Sequence, residues 1–169
     1  MKETDIYCLH CLSARQEAII RILERMGYTP FAPLEIKRDY RTDPPAIRKR
    51  YLIPGYVFFN ADQGVLPDWS GISRVDGVIR PLEYDDHSKA FRGEDLAFVY
   101  WLKGRSGIVD ISKVIRVGTK IRVVEGPLKY YEGRIKRVNK SRKSVAIEIG
   151  NAGLLNVVWF PVEYVESAE

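Results

Sequence analysis

Among its 169 residues the chain has only two cysteines and two histidines. A structural zinc site needs four nitrogen or sulfur ligands, and "CLHC" (8–11) supplies one C-x-x-C with no second pair, so His10 and His87 would have to complete it. A redox pair needs its thiols at a helix start. Cys8 and Cys11 instead close the short apolar run "IYCLHCL", where a three-residue separation turns them to opposite faces of a strand. Both are expected in the core, and no metal or cofactor is expected. Catalytic groups are equally scarce. There is no glycine-rich phosphate loop and no nucleophile elbow, and Asp85 and Asp86 beside His87 are the ordinary acids of a solvated turn. No enzyme is expected. No apolar run approaches the ~20 residues of a bilayer span, and Met1 to Asp5 is too polar for a secretory signal. The expectation is a cytoplasmic chain in a reducing compartment, without membrane contact and monomeric.

Cations are missing from one end. From Ser144 to Glu169 there is no lysine or arginine, only four glutamates. Just before it, Arg116 to Lys143 holds ten cations against two acids, Glu125 and Glu132. Residues 1–103 balance 15 cations with 15 acids, whereas 104–169 carry 12 against 7, so the whole net charge of +5 sits in the C-terminal part. Such asymmetry favours a polyanionic partner for that part. The plain alternatives are a solubilising face or an acidic protein partner.

The hydrophobic fraction of 46% is that of a globular chain, long enough for one domain or two small ones. "IYCLHCL" predicts a strand. "SARQEAIIRILERMG" predicts a helix with Ser13 as N-cap, an apolar stripe of Ala18, Ile19, Ile22, Leu23 and Met26, and a stop at Gly27. "TPFAPLEIKRDY" reads as a strand running into a polar loop, and "YLIPGYVFFN" as a strand entering through a Pro-Gly bend, paired from Tyr56 to Phe59. "PDWSGIS" predicts a short helix, "GVIRPL" a short strand and "GEDLAFVYWLKG" a helix ending at Gly104. This makes residues 1–104 an α+β domain, a mainly antiparallel sheet flanked by helices. Residues 105–115 are expected to be a linker, although their alternating Ile and Val also suit a strand. From 116 to 169 short runs ("KIRVVE", "GRIKRVN", "SVAIEIG", "LLNVVWF", "VEYV") predict a small all-β barrel, with a bulge where Ile135 and Val138 break alternation.

Two motifs then coincide in order and spacing. "IPGYVFF" follows a strand–helix–strand start, and "RVGTKIRVVEGPLKYYEGRIKRV" opens the small barrel. Together they resemble the NusG family of transcription elongation factors. Its N-terminal domain carries a "PGYV" strand, and its KOW domain carries G-x-x-V-x-V-x-x-G-P-F with a later glycine. Gly118, Ile121, Val123, Gly126, Pro127 and Gly133 match, with Leu128 in the Phe place. The basic barrel tip makes the chain most similar to the specialised LoaP antiterminator group. The resemblance implies docking on the clamp helices of RNA polymerase through an apolar patch of Ile53, Pro54 and Tyr56, completed by Ile6 on the first strand. It also implies an RNA hairpin of a transcript leader as partner of the KOW domain. A general elongation factor whose barrel binds a ribosomal or termination protein is the alternative, and a ribosome-associated KOW protein the next. DNA near the transcription bubble is a further partner in view. The basic stretch 37–51 reads as a hairpin tip near DNA or a solvated loop and carries no site assignment.

Strand periodicity sets Lys120 and Arg122 on one face, opposite buried Ile121 and Val123, with Ile135, Val145 and Ile147 also expected inside. The turn from Asn139 to Lys143 adds three cations. The nucleic-acid-binding residues expected are Arg122, Lys129, Arg134, Lys136, Arg137, Lys140, Arg142 and Lys143, with Tyr130 and Tyr131 available to stack.

Overall fold

The computed structural model describes residues 4–62, 65–150 and 154–165. By internal contacts the chain divides into two units, residues 1–32 with 53–100, and residues 33–52 with 101–169.

In chain order the elements are β1 (Thr4–Cys11), α1 (Gln16–Arg25), β2 (Thr29–Phe31), β3 (Leu34–Asp39), β4 (Ala46–Tyr51), β5 (Tyr56–Asp62), α2 (Trp69–Ser73), β6 (Val78–Pro81) and α3 (Gly93–Lys103). They continue as β7 (Ile108–Val109), β8 (Ser112–Val117), β9 (Lys120–Glu125), a 3-10 segment (Pro127–Arg134), β10 (Ile135–Asn139), β11 (Ser144–Glu148) and β12 (Val157–Tyr164).

The first unit is built on an antiparallel sheet in the order β2-β5-β1-β6. Alternation sends Tyr7, Leu9 and Cys11 of β1 and Val57, Phe59 and Ala61 of β5 to one face, where Ile19 and Leu23 of α1 and Ile72 of α2 close the core. Helix α1 stops where Gly27 adopts φ +95°, and the Tyr28 N–H then bonds back to the Leu23 carbonyl at 3.1 Å. Ser13 does not cap α1. It begins a 3-10 turn, Ser13–Arg15, and no side chain caps either segment. Asp68 does cap α2, accepting from the Gly71 N–H at 3.0 Å. Cys8 and Cys11 are buried and free, and burial pushes both thiols above their ordinary value.

The second unit contains a five-stranded sheet, β10-β11-β12-β8-β9, and a three-stranded one, β4-β3-β7. Among the described residues no pairing between β9 and β10 closes the larger sheet into the expected barrel. The stretch 105–115, expected as a linker, holds β7 and the start of β8. The ends of two expected runs, Val157–Phe160 and Val162–Tyr164, fall in one strand, β12, with Pro161 where the pairing changes: β12 pairs antiparallel with β11 as far as Pro161 and parallel with β8 from Val162. The bulge expected in β10 is present between Ile135 and Arg137. Val114, Val123, Val145, Ile147, Val158 and Phe160 are buried, whereas Ile121 and Ile135 are half-buried.

Candidate functional site

The quartet "IPGY" makes a tight turn before β5. The Tyr56 N–H donates to the Ile53 carbonyl at 3.2 Å, with Pro54 at the second position and Gly55 at φ +87° at the third, the arrangement of a type II turn. Gly55 is required twice over. Its φ disfavours any side chain, and a Cβ there would lie 3.0 Å from the Cys11 carbonyl oxygen. The buried amide of Gln16 locks the turn: its Nε2 donates to the Tyr56 carbonyl at 2.8 Å, and its Oε1 accepts from the Gly55 N–H at 3.0 Å. Pro54 is left exposed, while Ile53 and Tyr56 are half-buried. The Tyr56 ring stacks on His10, its partner across the sheet, with centroids 5.0 Å apart.

Ile6 does not join this patch. It is 1% exposed, because residues 6–9 of β1 are covered on both faces of the sheet and alternation therefore exposes none of them. Gln16 was not singled out from the sequence, and His10 only as a residue that a zinc site would have needed. The signal for Gln16 was a polar side chain at an apolar-stripe position, three residues before Ile19 and seven before Leu23. Gln16→Ala should destabilise the fold by about 2 kcal/mol, since it strips two hydrogen bonds and strands the Gly55 N–H. Urea denaturation checks this, and an unchanged midpoint would contradict the role assigned to Gln16.

The basic residues separate into three kinds. Lys140, Arg142 and Lys143 gather on the β10–β11 turn and are exposed. Asn139 shapes that turn by accepting from the Arg142 N–H at 3.1 Å, and Lys143 takes φ +50°. Lys136 and Arg137 stand exposed on β10, Lys136 3.0 Å from Glu148 and the Arg137 guanidinium 5.8 Å from the Trp159 ring. The register explains the second contact: Arg137, Ala146 and Trp159 are successive cross-strand partners, and the small alanine leaves the space between them open. Arg122 is also exposed, on the opposite terminal strand of the sheet.

Other expected contact residues are engaged within the chain itself. Arg134 is half-buried and donates from Nη1 to the Ile149 carbonyl at 2.8 Å. Lys129 folds back, its Nζ 2.9 Å from the Val123 carbonyl. Tyr131 is buried edge-on against Trp101 with centroids 5.1 Å apart, so it does not offer a stacking face. The reason is local. The segment 127–134 is a 3-10 helix, in which residues three apart share a side; Leu128 and Tyr131 point in, and Lys129 and Tyr130 point out. Tyr130 is 75% exposed and remains available. Both acids of the stretch are engaged, Glu132 accepting from the Val123 N–H at 2.6 Å and Glu125 lying 3.7 Å from Lys113. Exposed Trp159 and Tyr40 were not singled out from the sequence.

Charge follows the contact units more sharply than it follows chain order. The first unit has 8 cations and 12 acids, net −4, and the second has 19 and 10, net +9. Among the described residues no group of His, Cys, Asp and Glu could hold a metal ion, and no helix is long and apolar enough to cross a membrane.

The chain thus joins two units of different kind, an acidic α+β unit with a locked Pro-Gly turn and a cation-rich β unit. Residues 5–97 match the family described as "Transcription termination factor nusG". The chain is 26% identical over 156 residues to the transcription termination/antitermination protein NusG of Borreliella burgdorferi, covering 80% of this chain and 78% of that protein. It also shares the fold of a structure titled "Domain interaction in Thermotoga maritima NusG", with a TM-score of 0.52, 18% identity and 94% of each chain covered. The chain belongs to the NusG family of transcription termination/antitermination factors.

Proposed function

We propose that the chain is a specialised antitermination factor of the LoaP kind. Its first unit docks on the clamp helices of RNA polymerase through Ile53, Pro54 and Tyr56. A KOW module in its second unit grips a structured leader RNA hairpin, and no bond is made or broken. Joining the two contacts in one chain raises the effective concentration of each for the other. The observation that carries this reading is the segregation of charge, −4 against +9, with three exposed cations presented on one turn. A surface that only solubilises has no need to concentrate its cations in one unit while depleting the other.

The test is titration of a labelled RNA stem-loop with the full chain at several salt concentrations. With roughly five phosphate contacts, affinity should fall by about 10² to 10³ between 50 and 200 mM salt. Binding that is undetectable at low salt would end the RNA reading and favour a ribosomal or termination protein as the partner.

The linker expected at 105–115 lies inside the second unit, where β7 pairs with β3, and its accessibility belongs to the same proposal. Its first accessible basic residue is Arg105, followed by Ser106 and Gly107 at positive φ. Limited trypsin digestion should therefore cut first after Arg105. A chain that resists cleavage there until it unfolds would contradict an accessible linker at 105–115.

A further inference from the structure

The β3–β4 hairpin, residues 34–51, carries no role in the reading above, yet it groups with the basic unit. Residues 33–52 hold six cations and three acids. Arg48, Lys49 and Arg50 lie exposed on β4, a terminal strand of its sheet. Two acids are already engaged: Glu35 pairs with Arg50, and the Arg41 guanidinium beside Asp39 holds that carboxyl well below the usual range.

The register adds an unfavourable feature. Lys37 and Arg48 are directly opposite each other on β3 and β4, and both are exposed. Like charges facing across an antiparallel pair cost stability unless an anion lies over them. Arg48 has only a 3.6 Å contact with Asp39, and among the described residues Lys37 is in no ion pair.

The hairpin tip also meets the turn already assigned to RNA. Arg38 lies 3.5 Å from Glu163, and the Tyr40 hydroxyl donates to the same carboxylate at 3.3 Å. The Lys143 Nζ sits 5.0 Å from the centroid of the Tyr40 ring, which is itself half exposed. The cations of β3–β4 and those of the β10–β11 turn thus adjoin at Tyr40.

We infer that the β3–β4 hairpin is a second part of the RNA-binding surface, laying Lys37 and Arg48 on the phosphate backbone of the RNA stem while the β10–β11 turn holds the same stem. The inference rests on the proposed function. Phosphates are the fitting ligand because the hairpin offers closely spaced cations. The site is discontinuous in sequence, about a hundred residues separating its halves.

The experiment uses the full chain, a labelled RNA stem-loop, a DNA stem-loop of the same sequence, and the double variant Lys37→Ala/Arg48→Ala. Removing two facing cations should leave the melting temperature unchanged or raise it. It should also weaken RNA stem-loop binding roughly tenfold and lower the salt slope by about 2. Arg25→Ala/Arg74→Ala removes the same charge from the first unit and should leave affinity essentially unchanged at physiological salt, where the Debye length is ~8 Å. An unchanged affinity and slope in the hairpin variant, with binding still sensitive to the β10–β11 turn, would overturn the inference alone. A wild-type chain that binds no RNA would overturn it together with the proposed function. Tighter binding to the DNA stem-loop, with the loss confined to it, would assign the hairpin to DNA and overturn the inference as well.

Discussion

Replacing Lys140, Arg142 and Lys143 together by alanine should weaken RNA stem-loop binding by about 10² to 10³ at 0.1 M salt and lower the salt slope by about 3. The three side chains are exposed on one turn whose backbone is held by Asn139. Their removal therefore takes away phosphate contacts without opening the sheet. Lys129 is a poor fourth choice, because its ammonium already satisfies the Val123 carbonyl. Arg134 is poorer still, since it bonds the Ile149 carbonyl and its loss would be felt as stability. Phosphate contacts are sequence-independent, so the triple variant should lose affinity for every RNA alike. Selectivity must come from elsewhere, and under the proposed function the exposed Tyr130 ring would supply it by stacking on unpaired bases. An affinity that survives the triple substitution within twofold would move the interface off this turn.

Tyr56→Ala should abolish co-purification with RNA polymerase while leaving RNA binding intact. A centrally placed tyrosine commonly contributes more than ~2 kcal/mol to an interface, about thirtyfold in affinity. The substitution is clean because the turn does not depend on the ring: Gln16 holds the Tyr56 carbonyl, and Gly55 sets the backbone. The melting temperature should fall only slightly, reflecting the lost stack on His10. A collapsed thermal transition would show instead that Tyr56 is a core residue.

Much of the fold was legible because each element carried its own punctuation. Gly27 ended α1, and Pro54-Gly55 bent the chain into β5. The bulge in β10 followed from two apolar residues out of phase. What local pattern does not encode is which strand a segment pairs with. The stretch 29–40 read as one strand running into a polar loop, whereas it forms β2 and β3, and β4, within a stretch read as a hairpin tip or a solvated loop, becomes a strand by pairing with β3. The candidate site divided in the same way. Exposure of the β10–β11 cations followed from turn chemistry, whereas Tyr131 was misjudged because a 3-10 segment rotates adjacent tyrosines to different sides. Ile6 was misjudged because alternation predicts one covered face and β1 has two. The join between Tyr40 and Lys143 had no signal at all, since contacts across a hundred residues leave no mark on either stretch.

The adaptor reading is tested most directly by immobilising the RNA stem-loop and measuring how much RNA polymerase it retains with and without the chain. The account predicts retention only when the chain is present. That retention should be lost both in Tyr56→Ala, which still binds the RNA, and in Lys140→Ala/Arg142→Ala/Lys143→Ala, which still binds the polymerase. Retention of the unsubstituted chain on RNA without polymerase, or of polymerase regardless of either variant, would contradict it.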